Sequence, residues 1–173
     1  MAIDRVKAHF KKWHRETDVM EFDTSSATVE QAAETIGVSP ARIAKTISLR
    51  SNGKQAILIV AAGDTKIDNK KFREAFHFKA RMLAPDEVLE QTGHPIGGVC
   101  PFGLKHDLDV FLDVSIRRFE SVFPACGSPN SAIELTIDEL FRFSLAKGWV
   151  DVCKGWQDET SDADNEKKSL NRY

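Results

Sequence analysis

The sequence predicts a single α+β domain with a mixed β-sheet. Short apolar runs of strand length alternate with short amphipathic stretches at helical spacing. One pair of runs, Lys45–Arg50 and Gln55–Ala61, flanks Ser51-Asn52-Gly53, which carries the Asn-Gly chemistry of a hairpin turn. No internal repeat or low-complexity linker divides the body, and 173 residues suit one domain with a sizeable core.

Ile3, Val6, Phe10 and Trp13 recur at helical spacing with lysines on the other faces, so the chain opens on an amphipathic helix. Val19–Phe22 reads as a short strand. Thr28-Val29-Glu30-Gln31 is a capping-box signature, and Gly37 is placed to end the helix it opens. Ser39-Pro40 starts a further short helix. In the hairpin, Ala56–Ala61 is apolar on both faces, which marks a central strand. Asp68 caps a helix through Phe76, Ala80–Leu83 reads as a strand, and Pro85 opens a helix that Gly93 closes. Leu108–Leu112 reads as a strand and Ser115–Phe119 as a helical turn. Val122–Ala125 and Ala132–Leu135 follow as strands. A second capping box, Thr136-Ile137-Asp138-Glu139, opens a helix to Lys147 with Gly148 as its stop, and Trp149–Cys153 makes a last strand.

Composition narrows the function classes. Apolar residues at 42% and charged residues at 29% are ordinary for a globular domain. No apolar run approaches the roughly 20 residues of a membrane span, and the N-terminus lacks the apolar core of a signal peptide. Three widely spaced cysteines, Cys100, Cys126 and Cys153, argue against a disulfide framework, so a cytoplasmic location is expected. The polar segment 157–173 reads as a solvated, flexible tail beyond a 1–156 domain. Removing its five acids and three bases from the chain's 26 and 24 leaves 21 of each. The body is neutral, so any nucleic-acid contact must come from a local patch.

The five histidines form no HExxH pair and the cysteines no CxxC, so no metal or other cofactor is expected. Walker, GxGxxG and GxSxG motifs are also missing. Four features do carry chemistry. Gly97-Gly98-Val99-Cys100-Pro101-Phe102-Gly103 gathers three glycines and a proline, a loop whose main-chain amides suit an anion or oxyanion. Lys45 stands where a short helix gives way to an apolar strand, either solvated or projecting into a site at the strand edge. Cys126-Gly127-Ser128-Pro129-Asn130-Ser131 is a polar turn that can line a pocket or simply reverse the chain. Lys66, Lys70, Lys71, Arg73, Lys79 and Arg81 form a basic stretch, as a phosphate-binding patch or a solvated face.

In order along the chain these pieces run Ala32-Ala33, Ile36-Gly37-Val38, Arg42-Ile43-Ala44-Lys45-Thr46, a hairpin ending in Ala62-Gly63-Asp64, then Asp68 and the glycine-rich loop. This order resembles the YbaK and prolyl-tRNA synthetase editing-domain superfamily, from about Phe22 to Leu140. The most specific parts are the lysine after the short helix and a GxxxP loop, Gly97 to Pro101. The region from Phe119 to Trp156, with Phe123-Pro124-Ala125-Cys126-Gly127-Ser128, is similar to its YbaK/EbsC branch. The resemblance implies a curved mixed sheet, or partial barrel, flanked by short helices.

It also implies hydrolysis of a wrongly charged aminoacyl ester at a tRNA 3′ end, with a positioned water or the substrate's own side chain attacking. Aminoacyl-tRNA is then the partner, with an aminoacyl-tRNA synthetase as a further one. A non-catalytic module binding tRNA ends or a synthetase is the alternative on this fold, and a hydrolase using Cys100 is a third. Catalytic roles fall to Lys45, Gly97 and Gly98, and tRNA binding to Lys66, Lys70, Lys71 and Arg73. Phe22, Thr46, Val99, Cys100, Pro101, Gly127, Ser128 and Asn130 are the implied substrate contacts. Bringing a lysine from about 10.4 to about 7 costs roughly 4.6 kcal/mol, so a cationic Lys45 holding phosphate or carbonyl oxygen is expected over a general base. Cysteine-selective members of the resembled family place a tyrosine near Phe22 and a serine near Ala125. The one tyrosine here is Tyr173, and Ser128, Asn130 and Ser131 suit a small side chain such as serine, threonine or alanine.

Overall fold

The computed structural model describes residues 1–53 and 55–157, so the tail expected over 157–173 lies, beyond Gln157, outside the described residues. A six-stranded mixed sheet curls into a half-barrel. Its strands are β2 (Ile43–Arg50), β3 (Ala56–Ala62), β5 (Asp109–Asp113), β6 (Ser121–Pro124), β8 (Leu135–Thr136) and β9 (Gly148–Val150). They lie in the order β8-β6-β2-β3-β5-β9, with β2–β3 and β6–β8 antiparallel and the remaining pairs parallel. Two small ribbons flank this sheet. One pairs β1 (Met20–Glu21) with β7 (Ser131–Ala132), and the other pairs β4 (Lys66–Ile67) with β10 (Cys153–Lys154). The expected α+β domain with a curved mixed sheet is therefore what the chain forms.

Side-chain alternation along β2 and β3 sorts the core onto two faces. Leu58, Val60 and Ala62 join Val6, Phe10 and Phe102 beneath α1 (Ala2–Lys11), with Leu140 and Phe143 of α5 (Ile137–Phe143). Ile57, Ile59 and Ala61 meet Phe72 of α3 (Asn69–Phe76) and Val152 on the other face. All seven residues of β3 are buried, as expected for a central strand. Phe72 alone, fully buried, contributes about 2–3 kcal/mol of transfer free energy. Among the described residues no helix is long and apolar enough to cross a membrane.

Capping chemistry places the helix ends. Thr28 accepts from the Gln31 amide at the start of α2 (Val29–Ile36), and Gly37 ends that helix at φ 86°. The reciprocal half of that box is absent, because the Gln31 amide oxygen accepts instead from Ser25 Oγ. Asp68 caps α3 through the Lys70 and Lys71 amides, and Thr136 with Glu139 forms a complete box at α5. Gly93 closes α4 (Pro85–Thr92).

Five expected elements differ. Pro40–Arg42 is a single 3-10 turn. Ala80–Leu83 does not form a strand; it touches β2 only through the Leu49–Met82 bridge. The Ala132–Leu135 run divides between β7 and β8, which belong to different sheets. The final helix stops at Phe143, where Leu145 adopts φ 56°, so Gly148 begins β9. Trp149–Cys153 likewise splits between β9 and β10.

Candidate active site

Lys45 lies on β2 opposite Ala61 of β3, on the face that also carries Ile47 and Leu49. Its stem runs towards the loop that follows β3, and its ammonium donates to the carbonyls of Gly63 and Thr65. Gly63 is obligatory at this point: a Cβ would fall 2.1 Å from the Pro40 carbonyl oxygen and 2.7 Å from Val29 Cγ1. Thr65 braces the same loop by donating its hydroxyl to the Ala62 carbonyl at 2.7 Å. Asp64, between them, is gripped by both terminal nitrogens of Arg118, whose guanidinium lies 5.0 Å from the Trp156 ring. Burial pushes the Lys45 pKa below the ordinary lysine value, opposed by the negative fields of Asp64 and Glu30. Two carbonyl acceptors at the amine favour the charged donor.

A cleft of about 120 Å³ opens beside Lys45. Lys45 and Thr46 form one wall, and Gly97 and Val99 of the glycine-rich loop form another. Apolar lining comes from Val29, Ala32, Ile43, Phe123, Ala125 and Ala132, and Ser26, Thr28 and Ser131 add hydroxyls. Thus the two motifs picked out from sequence, 52 positions apart, border one space. The Thr46 hydroxyl is buried here with no hydrogen-bond partner among the described residues. Such a group costs stability unless something fills the role.

The glycine-rich loop is held from behind. Gly98 is buried, its amide donates to the Pro95 carbonyl at 2.9 Å, and its own carbonyl accepts from Gly127 at 2.9 Å. A Cβ on Gly98 would fall 2.6 Å from the Ser128 nitrogen, so only glycine permits this approach. The Gly98 amide is therefore spent inside the loop, which corrects the expectation that it faces substrate. Gly97 turns at φ +92° with its Cα hydrogen side 2.9 Å from Ala27 Cβ at the Cβ position. The amides of Gly97 and Val99 have no acceptor among the described residues.

Several other expected contacts take supporting places. The Cys100 side chain points into the main core, not the cleft, with Sγ 3.5 Å from His94 Nε2, and burial pushes its pKa up to about 12. Pro101 is buried and borders a different groove, under α1. Gly127, at φ +93°, lies against Ala2 and Val6 of α1. Ser128 donates to Ser131 Oγ at 2.7 Å, behind the lining residue Ser131. Phe22 and Asn130 bond each other, the Asn130 side-chain amide donating to the Phe22 carbonyl at 2.9 Å and the Phe22 amide to the Asn130 carbonyl at 2.8 Å. They extend the β1–β7 ribbon at the rim and do not line the cleft.

The basic stretch is only partly available. Lys66, Lys70 and Arg73 are exposed, as are Lys79 and Arg81. Lys71 is engaged, donating to Asp151 Oδ1 at 3.1 Å and to the Cys153 carbonyl at 3.3 Å. Sequence reading passed over Thr28, Ser26 and the Asp64–Arg118 pair as site elements. The Gly63-Asp64 turn after a fully apolar strand was the available signal for the last of these.

Known proteins resemble this chain in sequence and in fold. The chain is 69% identical over 157 residues, 91% of its length and 100% of the other, to the uncharacterized protein YwhH of Bacillus subtilis (strain 168). It is 27% identical over 122 residues to EbsC of Enterococcus faecalis (strain ATCC 700802 / V583), covering 70% of this chain and 73% of that one. EbsC is named as a candidate Cys-tRNA(Pro)/Cys-tRNA(Cys) deacylase. The fold superposes with a TM-score of 0.80 and 28% identity on a solved structure described as a candidate trans-editing enzyme for prolyl tRNA synthetase, covering 89% of this chain and 98% of that one. The family model for the aminoacyl-tRNA editing domain matches residues 23–143, which spans the cleft, the lysine cradle and the glycine-rich loop, and the chain belongs to that family.

Proposed function

We propose that this chain is a trans-acting deacylase that hydrolyses the ester of a tRNA carrying a small, wrongly attached amino acid. The observation that carries the reading is the shared cleft: Lys45 on β2 and the Gly97–Val99 loop border one space of about 120 Å³. A space of this size admits a side chain of one or two heavy atoms, as in alanine, serine or cysteine, and its mixed hydroxyl and methyl lining suits that class. Glycine in the positive-φ position at Gly97 keeps the loop backbone close to the ester carbonyl.

In this mechanism the ester carbonyl oxygen lies against the Gly97 and Val99 amides, which stabilise negative charge as the tetrahedral centre forms. The Lys45 ammonium adds positive charge beside the same oxygen or the terminal phosphate. Water oxygen bonds to the carbonyl carbon, the bond to the ribose oxygen breaks, and that oxygen takes the proton. The products are the free amino acid and an intact tRNA 3′ end. Because the ester is already activated, positioning and charge complementarity supply much of the acceleration. No acyl-enzyme is formed. Exposed Lys66, Lys70 and Arg73 attract the phosphates, and the relatives named above support a prolyl-tRNA synthetase as the enzyme whose errors are corrected.

The test is a deacylation panel of tRNAs mischarged with alanine, serine, threonine and cysteine, using wild type and Lys45→Ala. Hydrolysis of at least one small member, lost by about a hundredfold in Lys45→Ala, is expected. If wild type hydrolyses none of them, the chain is a binding module on this fold.

A further inference from the structure

Phe123 of β6 is the one aromatic side chain among the residues that line the cleft. It is buried, and its partner across the β2–β6 pairing is Ile43, another lining residue. The Arg42 guanidinium carbon lies 5.1 Å from the centre of the Phe123 ring, although Arg42 itself lines no part of the cleft. Polar contacts hold that guanidinium in place. Its Nε donates to the Ser121 carbonyl at 3.2 Å, and one terminal nitrogen donates to Ser121 Oγ at 2.6 Å and to Glu134 at 3.4 Å. Ser121 Oγ closes the knot by donating to the same Glu134 oxygen.

Each member of this knot sits beside residues that form the cleft. Arg42 directly precedes Ile43, Ala44, Lys45 and Thr46; Ser121 lies two positions before Phe123, and Glu134 two after Ala132. The knot therefore ties three wall segments together from outside. Their backbones are secured separately, by the Ile43–Phe123 pairing, the Ala125–Ala132 bridge and the Ile133 amide donating to the Pro124 carbonyl at 3.1 Å. The phenyl ring has no polar group to anchor it, so its tilt depends on what packs against it. A planar guanidinium laid on an aromatic face does this better than a flexible ammonium. The Arg42 and Glu134 side chains are 32% and 54% exposed, so their charges add little stability by themselves. What they add is placement.

We propose that Arg42 is a positioning residue for amino-acid selectivity: the Arg42–Ser121–Glu134 knot holds the Phe123 ring against the cleft and so keeps out side chains larger than those of alanine, serine or cysteine. This rests on the deacylase reading for the nature of the ligand. In a space of about 120 Å³, a small tilt of one phenyl ring decides whether a further methylene fits. One methylene in an apolar pocket changes discrimination by about 10- to 200-fold. A ring free to tilt forfeits much of that range, while the main-chain bonds keep the wall itself standing.

The experiment compares alanyl- and valyl-tRNA minihelices as substrates of the full chain, wild type against Arg42→Met and Arg42→Lys, and follows the Phe123 ring by aromatic ¹³C NMR. Methionine keeps a long stem but neither charge nor donors. Arg42→Met is expected to lower the alanyl-over-valyl ratio of kcat/KM about tenfold, chiefly by a gain on valyl, with alanyl kcat kept within about threefold. Its Phe123 ring should flip faster than in wild type. Arg42→Lys should fall between the two, since an ammonium lacks the planar fork. Ser121→Ala unties the knot from its other side and should shift the ratio in the same direction, which keeps the test open if Arg42→Met does not fold. An unchanged ratio with an unchanged flip rate in the folded variants, or an equal loss on both esters, overturns the proposal. If wild type deacylates neither ester yet the ring flips faster in Arg42→Met, the hold on Phe123 stands and the deacylase reading falls.

Discussion

Arg118 grips both carboxylate oxygens of Asp64, at 2.7 and 3.0 Å, and so fixes the loop whose carbonyls hold the Lys45 ammonium. Neither partner is deeply buried, with side-chain exposures of 27% and 33%, so the pair itself is worth about 1 kcal/mol or less. Its larger effect is geometric. Arg118→Met should lower melting only slightly yet reduce kcat severalfold, because Lys45 loses its register against the cleft. Arg118→Lys should recover part of the rate at most, since an ammonium cannot reproduce the two-pronged contact. Urea denaturation beside steady-state kinetics checks both; equal losses in stability and rate would make Arg118 merely structural.

The pH profile should report Lys45. Burial lowers its pKa from 10.5, so the ammonium is lost at a lower pH than for a free lysine. If the charged form acts on the ester, activity falls as pH rises through that lowered value. Lys45→Arg keeps its charge throughout, so the alkaline limb should vanish while some activity remains. A limb that is unchanged in Lys45→Arg would assign it to another group. Were Lys45 a general base, activity would instead rise through the same region.

Cys100 should be dispensable for chemistry. Its thiol is buried and pushed up to about 12, so thiolate is negligible at neutral pH. The neighbouring His94 Nε2 lies 2.7 Å from the Phe102 carbonyl. A nitrogen bonded to a carbonyl must carry the proton, so it has no lone pair to accept one from Cys100. Cys100→Ala is expected to keep kcat within about twofold and to cost about 1 kcal/mol of stability. Loss of activity in a folded Cys100→Ala protein would reinstate a thiol mechanism.

How far the sequence discloses all this depends on the kind of information each feature needs. Helix starts at Thr28, Asp68 and Thr136 are written locally, in side chains that reach amides two or three residues on. The central strand is legible because β3 is apolar on both faces. Ala80–Leu83 misleads because a short, largely apolar run there follows the sheet edge but pairs at only one bridge, Leu49–Met82, and strand formation depends on surroundings more than on backbone preference. At the site, Lys45 and Gly97 are legible as motifs, yet the inward turn of Cys100 and the spending of the Gly98 amide are not. Those depend on contacts with Phe102, Pro95 and Gly127, partners that no local pattern encodes. Arg118 escapes notice for the same reason, lying 54 positions from Asp64.

Gly98→Ala tests the loop from behind. The new methyl would sit 2.6 Å from the Ser128 nitrogen and 2.7 Å from the Gly127 carbonyl carbon, both main-chain atoms. Backbone has to move, and the loop amides at Gly97 and Val99 move with it. A stability loss of about 1–3 kcal/mol and a kcat loss of tenfold or more are expected, with KM less affected. Calorimetry and single-turnover deacylation separate the two; normal kcat in a destabilised protein would remove the loop amides from the mechanism.

The basic residues should divide by their partners. Lys71 already donates to Asp151 and the Cys153 carbonyl, tying α3 to the C-terminal strand. Lys66 is exposed on β4 and borders the groove beside Lys45. A phosphate contact releases condensed counterions, so removing one flattens the dependence of log affinity on log salt by about 0.7 to 1. Lys66→Ala should therefore weaken tRNA binding at low salt and reduce that slope by about one. Lys71→Ala should leave the slope as it is and lower the melting temperature instead, because it severs an internal tie. Filter-binding isotherms between 50 and 300 mM salt (roughly the range where the slope is readable) decide the matter. Equal slopes for wild type and Lys66→Ala would move the phosphate path off β4.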